Sequence, residues 1–201
     1  MTRADRPNIL LVVLDSLSSA ACRDHLDQLP AFHRLQQESL CFSNCYCPSP
    51  ASGPARASLL TGLDMAAHGV WTDGVPLPVH ETTLQERCVT QGYHAWLVGR
   101  RHLSGVSNWT TEHPRAGEFH QVQWAHGPLH RSRQNAYLAW LQDTAPAAYD
   151  SIFAHQADPD SDTAPSAQHA ALTALPDVLS FNHWVGAVSY THLTLPTTSR
   201  V

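Results

Sequence analysis

A chain of 201 residues with 43% hydrophobic side chains is long enough to bury the core of one domain and too apolar to be disordered. Twelve Lys and Arg against seventeen Asp and Glu leave a net charge of −5 without any basic cluster, which speaks against nucleic acid or an anionic membrane surface as partner. The apolar run near the N-terminus has only six residues (9–14), too few for a signal-peptide core or a membrane span, so a cytoplasmic protein is expected. Five cysteines (22, 41, 45, 47 and 88) are an odd count and read as mostly buried free thiols; Cys45 and Cys47 lack the second pair that a zinc site needs. The fourteen histidines are scattered and read mainly as surface or loop residues.

Taken in chain order, Ile9–Leu14 (ILLVVL) after Pro7 reads as a strand buried on both faces, the habit of parallel sheets covered by helices. It ends on Asp15, where open α/β sheets collect their ligands; the alternative is that Asp15 caps the turn through Ser16–Ser19. Residues 30–39 read as a helix and 40–46 as a short strand. A proline-broken loop leads to a small helix over 55–61, closed by Gly62. Thr83 and Glu86 form a capping box for a helix that stops at Gly92, and 93–98 (YHAWLV) reads as the next strand. Residues 105–130 read as loop, 132–142 as a helix, 143–170 as a polar surface insertion, and 179–186 as the start of an amphipathic helix. This order of strands and helices is an α/β signature, without internal repeats.

Two clusters carry candidate chemistry. In ASGPARASLLTG (51–62), Ser52 precedes a helix whose first turn tolerates Pro54. The free N–H groups and dipole of that helix start suit an anion. Arg56 sits where a cation opposes the dipole by about 0.3–1 kcal/mol, which suggests that it serves an oxyanion or Ser52 instead. An ordinary N-cap with a surface Arg explains the same spacing. After the 93–98 strand, Arg100 and His102 fall on one side if the chain stays extended; a cation and an imidazole could hold an anionic ester and protonate its leaving group. Taken alone, RRH reads better as a solvated loop.

The segments RPNILLVVLDS, LPAFHRLQQESLCFSNCYCPSPASGPARASLLTG, AAHGVWTDGVPL and TTLQERCVTQGYHAWLVGRRHLSG together resemble, in order, the N-terminal half of the sulfatases of the alkaline-phosphatase-like superfamily. The resemblance is strong over residues 7–105 and continues weakly to FNHWVG. SGPAR followed by ASLLTG fits the family motif of Cys or Ser, any residue, Pro or Ala, any residue, Arg, then Leu-Leu-Thr-Gly. The resemblance implies an α/β three-layer sandwich with a mostly parallel central sheet, here truncated. It implies that Ser52 is oxidised to formylglycine, whose hydrate attacks the sulfur of a small-molecule sulfate ester, displacing the alcohol, and that the covalent sulfate then leaves by elimination back to the aldehyde. Arg56 would hold that residue. Asp15, with Ser52, would bind a divalent cation, usually Ca2+ and alternatively Mg2+ or Mn2+. His102 would lie near nucleophile and substrate, and Arg100 stands where the family has Lys, a planar fork in place of a point charge. Ser16 stands where many relatives have a second Asp. Ser in place of Cys implies a Ser-type formylglycine-generating maturase working in the cytoplasm, and neither nucleic acid nor membrane is an expected partner.

The last residues, VSYTHLTLPTTSRV, lose the helical period and resemble a translated sequencing-library adaptor. The expectation is therefore that residues 1–186 are the N-terminal portion of a sulfatase catalytic domain, that 187–201 are a non-native tail, and that the chain alone is inactive. The alternatives are a phosphoester or phosphonate hydrolase of the same superfamily using Ser52 directly, and a non-catalytic relative that binds an anion.

Overall fold

The computed structural model describes residues 7–15, 17–105, 111–154 and 170–194. They fall into two compact units, divided between Tyr46 and Cys47. The first unit holds α1 (Ser19–Asp24), a 3-10 turn (Leu26–Gln28) and α2 (Pro30–Glu38). Pro30 opens α2, where its missing N–H is no loss, and Arg34 pairs with Glu38 one turn on at 2.9 Å. The two strands expected here are not formed. Ile9–Leu14 carry no strand pairing and each is 43–65% exposed, and Leu40, Phe42 and Tyr46 stand open to solvent. The physical reason is that a strand apolar on both faces needs a neighbour to pair with and helices on both sides, and the described residues of this unit contain no second strand. Asp15 lies exposed in the turn that follows, and Ser16 lies outside the described residues.

The second unit begins with α3 (Ser52–Thr61), α4 (Met65–His68) and α5 (Leu84–Thr90). Gly62 closes α3 in the left-handed conformation, with its N–H on the Ser58 carbonyl at 2.8 Å, as its position after the apolar run predicts. Glu86 reaches back to the Thr83 N–H at 2.7 Å, the reciprocal half of the expected capping box. A two-stranded parallel sheet follows, β1 (Trp96–Gly99) beside β2 (Gln121–Trp124), in the register Trp96↔Gln121 to Gly99↔Trp124. β1 starts three residues later than the apolar run suggests, and β2 falls inside the stretch expected to be loop. The chain continues through α6 (Ala136–Thr144), α7 (Pro146–Phe153), a 3-10 turn (Asp177–Leu179) and α8 (Phe181–Thr194). α7 occupies part of the expected polar insertion, whose residues 155–169 lie outside the described residues.

α6 packs on β2 and α8 on β1, so the parallel pairing and its covering helices bear out the α/β class. The core under them is Ala125, Tyr137, Leu138, Leu141, Ile152 and Trp184. α8 runs on through Gly186, past the point where its sequence loses polar–apolar contrast, because Trp184, Val185 and Val188 recur on the face that meets this core. A second cluster, Ala57, Val70, Leu77 and Leu103, fixes α3 against the segment after β1. The cysteines are not buried: Cys41, Cys45 and Cys47 are exposed and Cys22 and Cys88 partly so.

Leu141 is fully enclosed, so Leu141→Ala should lower the unfolding free energy by about 2–5 kcal/mol, read from urea unfolding followed by circular dichroism.

Candidate active site

Ser52 is the first residue of α3 and is half-buried. The residue before it, Ala51, has no side chain that can cap, so the first N–H groups of the helix need partners from elsewhere. Asp73 supplies one, its Oδ1 accepting from the Gly53 N–H at 2.5 Å. A carboxylate is favoured at this positive helix end. Gly53 makes the approach possible, because a Cβ there would lie 3.0 Å from that oxygen. The helix start is therefore already engaged by a protein carboxylate, where the sequence alone suggested N–H groups left for a ligand.

The same oxygen of Asp73 lies 3.7 Å from Nε2 of His102. His102 follows β1, but not in an extended run. Its φ is +62°, a left-handed conformation costing about 1–3 kcal/mol for a non-glycine residue. Glu112 stabilises it: its carboxylate oxygens accept from the N–H of His102 and the N–H of Leu103, each at 2.6 Å. Glu112 is in turn bound by Nη1 of Arg101 at 3.1 Å. Arg101 also forks onto Glu118 through Nε and Nη2, both at 2.9 Å. All three are buried. The arginine pair is thus split. Arg101 belongs to the interior, and Arg100 points to the end of β2.

That end carries His126. Parallel register sets Gly99 beside Trp124, so the residues that leave the two strands meet at their carboxyl ends. Arg100 donates from Nε to the His126 carbonyl at 2.5 Å, and Arg56 donates from Nη1 to the Arg100 carbonyl at 3.0 Å. The rings of His102 and His126 stand edge to face with centroids 4.9 Å apart, and His130 lies 5.0 Å beyond His126. Ser52 at the start of α3, Arg56, Arg100 and His102 are linked in this way through Asp73 and His126. Sequence reasoning missed both of these, as it missed Glu112. Asp73 is one of several acids in turns and leaves no signature. His126 would have been found by recognising QVQW as a strand, since it follows directly at that strand's end.

Burial holds the His126 imidazole far below its usual range, at about 3, and the Arg100 guanidinium, His102, His130 and Arg56 push the same way. Burial also lowers His102, with Asp73 pulling it back up and Arg100 lowering it again. Both rings are neutral near neutral pH, beside two permanent cations. The arrangement can hold an anion, and a proton taken up by either neutral imidazole would add a third positive charge beside the two arginines.

Asp15 belongs to the first unit and Ser52 to the second. Asp15 and the Ser52 oxygen are two donors, against about six or more oxygens around Ca2+, and among the described residues no group of three His, Cys, Asp or Glu could hold a metal. Among the described residues these two donors do not by themselves complete a divalent-cation site.

Residues 7–195 match the sulfatase family model. The chain belongs to the sulfatase family. Its fold is accordingly of the alkaline-phosphatase-like α/β class. Among curated relatives, the uncharacterized sulfatase YdeN of Escherichia coli strain K12 is 39% identical over 84 residues, covering 39% of this chain and 15% of its own length. The multifunctional alkaline phosphatase superfamily protein PehA of Trinickia caryophylli is 35% identical over 102 residues, 47% of this chain and 20% of its own. An arylsulfatase of Clostridium perfringens is 27% identical over 155 residues, 69% of this chain and 31% of its own. The chain thus spans less than a third of each of these relatives. No solved structure matches it.

Two outcomes follow for the isolated sulfatase chain. Glu112→Ala takes the acceptor from Nη1 of Arg101, which Glu118 still pairs, and from two buried backbone N–H groups, and should cost about 3–5 kcal/mol in urea unfolding, with Glu112→Gln costing less. Protonating His126 is easier unfolded than folded. The stability held by its neutral ring should therefore be complete above 6.5 and drain away as pH falls toward about 3. His126→Gln should flatten that slope in unfolding curves taken across the window.

Proposed function

We propose that the protein carrying this chain hydrolyses small-molecule sulfuric esters, with Ser52, oxidised to formylglycine, as the attacking group. The observation that carries this reading is the single oxygen of Asp73, which binds the N–H next to Ser52 and faces His102. It ties the start of α3 to the loop after β1, so nucleophile and imidazole are held by one anchor. A formylglycine would supply a hydrated aldehyde as nucleophile. Arg56 keeps the helix start and the Arg100 segment together, through its bond to the Arg100 carbonyl. Arg100, fixed at Nε by the His126 carbonyl, brings permanent positive charge to bind the anionic ester group. His102, beside Asp73, which favours its protonated form, is placed to pass a proton from its imidazolium to the departing oxygen.

The family resemblance implies a Ca2+, Mg2+ or Mn2+ ion for which Asp15 and Ser52 would each be an oxygen donor. No step is derived through it. We place a Ser-type maturase as the partner that modifies Ser52, and the 201-residue chain by itself as inactive.

The test starts with mass spectrometry of the peptide ending at Arg56 from the native protein. Ser52 lighter by two hydrogens supports formylglycine. An unmodified Ser52 in active enzyme refutes it, and favours direct attack by Ser52 in a phosphoester or phosphonate hydrolase. Ser52→Ala should lower kcat by on the order of 10^4 to 10^6 under either reading. If turnover survives it, Ser52 is not the nucleophile.

A further inference from the structure

We propose that His126 is a second imidazole of the substrate site, donating a hydrogen bond from its ring to an oxygen of the bound sulfuryl group alongside Arg100. The inference rests on the oxyanion reading of the Ser52–Arg100–His102 site and adds to it a residue that sequence reasoning did not single out.

Three observations carry it. First, among the described residues two buried side-chain polar atoms have no hydrogen-bond partner, and they are Nδ1 of His126 and Nδ1 of His102. Leaving such an atom buried and unpaired costs about 1–3 kcal/mol, and an unpaired group in a native fold calls for an explanation. Here the two fall on adjoining rings, 4.9 Å between centroids, and His102 is itself only 9% exposed. A shared missing partner accounts for both. Second, the backbone at this point is built with care. Arg100 is pinned on the His126 carbonyl, and the next residue, Gly127, is one where a Cβ would crowd Nη2 of Arg100 at 3.4 Å. Asn135, wholly buried at the cap of α6, donates to the carbonyls of Gly127 at 2.8 Å and His130 at 2.9 Å. The ring of His126 is thereby placed by two anchored neighbours. Third, the charges around it decide its role. Arg100 and Arg56 face it from the β1 end and from α3, His102 and His130 flank it, and Trp124 stands 6.3 Å away. A ring kept neutral among these cations offers one N–H and no charge. It can therefore orient a singly charged sulfuryl oxygen without raising the field that already attracts it.

The experiment uses the whole 201-residue chain, with inorganic sulfate as the probe. Sulfate is titrated while the ring nitrogens of the histidines and the guanidinium of Arg100 are followed by NMR. The expected result is a saturable shift of the His126 ring together with His102 and Arg100. In His126→Ala the sulfate affinity should fall about tenfold, the loss of one charge-assisted hydrogen bond. His126→Asn, which keeps a side-chain N–H, should recover part of it, and His94→Ala, at an exposed His–His contact, should leave affinity unchanged. Should sulfate move Arg100 and His102 while the His126 ring stays still and His126→Ala binds as well as the parent, His126 has no role toward the anion and the inference falls, with the oxyanion reading intact. If none of the three responds, the oxyanion reading falls and takes the inference with it. The titration of the unaltered chain decides between these outcomes even if a variant fails to fold.

Discussion

One guanidinium held between two carboxylates, Arg101 between Glu112 and Glu118, is the constraint on which the rest of the second unit hangs. None of the three reaches solvent appreciably, and a buried carboxylate is tolerable only when its lone pairs are filled. Filling them conscripts the neighbourhood. Glu118 takes the side chains of Thr83 and Gln85 and the N–H of Arg115 besides Arg101, which draws in the start of α5. Glu112 takes the N–H groups of His102 and Leu103 and faces the indole of Trp124. The loop after β1 thus acquires its shape from the need to satisfy two charges. The left-handed turn at His102 follows from that need, and it turns the ring toward His126 and Asp73.

The chemistry assembled at the surface of this knot has a simple electrostatic form. Two arginines that cannot lose their charge are joined by one hydrogen bond from a side chain to a backbone carbonyl, and they stand beside two imidazoles that resist gaining one. The acid at the helix start, Asp73, is half exposed and sits between the helix and His102. Attraction for an anion therefore rests on the arginines, while the imidazoles beside them are held toward their neutral forms.

Local signals in the sequence carried far. Gly62 and the Thr83–Glu86 box mark α3 and α5 because caps are read from residues within one turn. The motif around Ser52 and the Arg100–His102 pair also stand out by type and spacing. What escaped is non-local. β2 has two Gln among its four residues, and is a strand because β1 lies next to it and not because of its own pattern. With β2 went His126. Arg101 and Arg100 look alike in the chain, and only the two distant glutamates separate the buried one from the other. The opposite error occurs at Ile9–Leu14, whose composition asks for a buried strand and whose described surroundings offer no sheet to enter.

The order in which the anchors lie along the chain has a consequence in time. Ser52 precedes each of the residues that fix its helix start and neighbours: Asp73, His102, Glu112 and His126 all come later. At a synthesis rate of about 5–20 residues per second, His126 is added about 4–15 s after Ser52. During that interval the anchors of the Ser52 segment are added one after another, Asp73 first and His126 last. The parallel pairing of β1 and β2 is thus the last contact to be made in surrounding Ser52, and it waits on a strand more than sixty residues further along the chain.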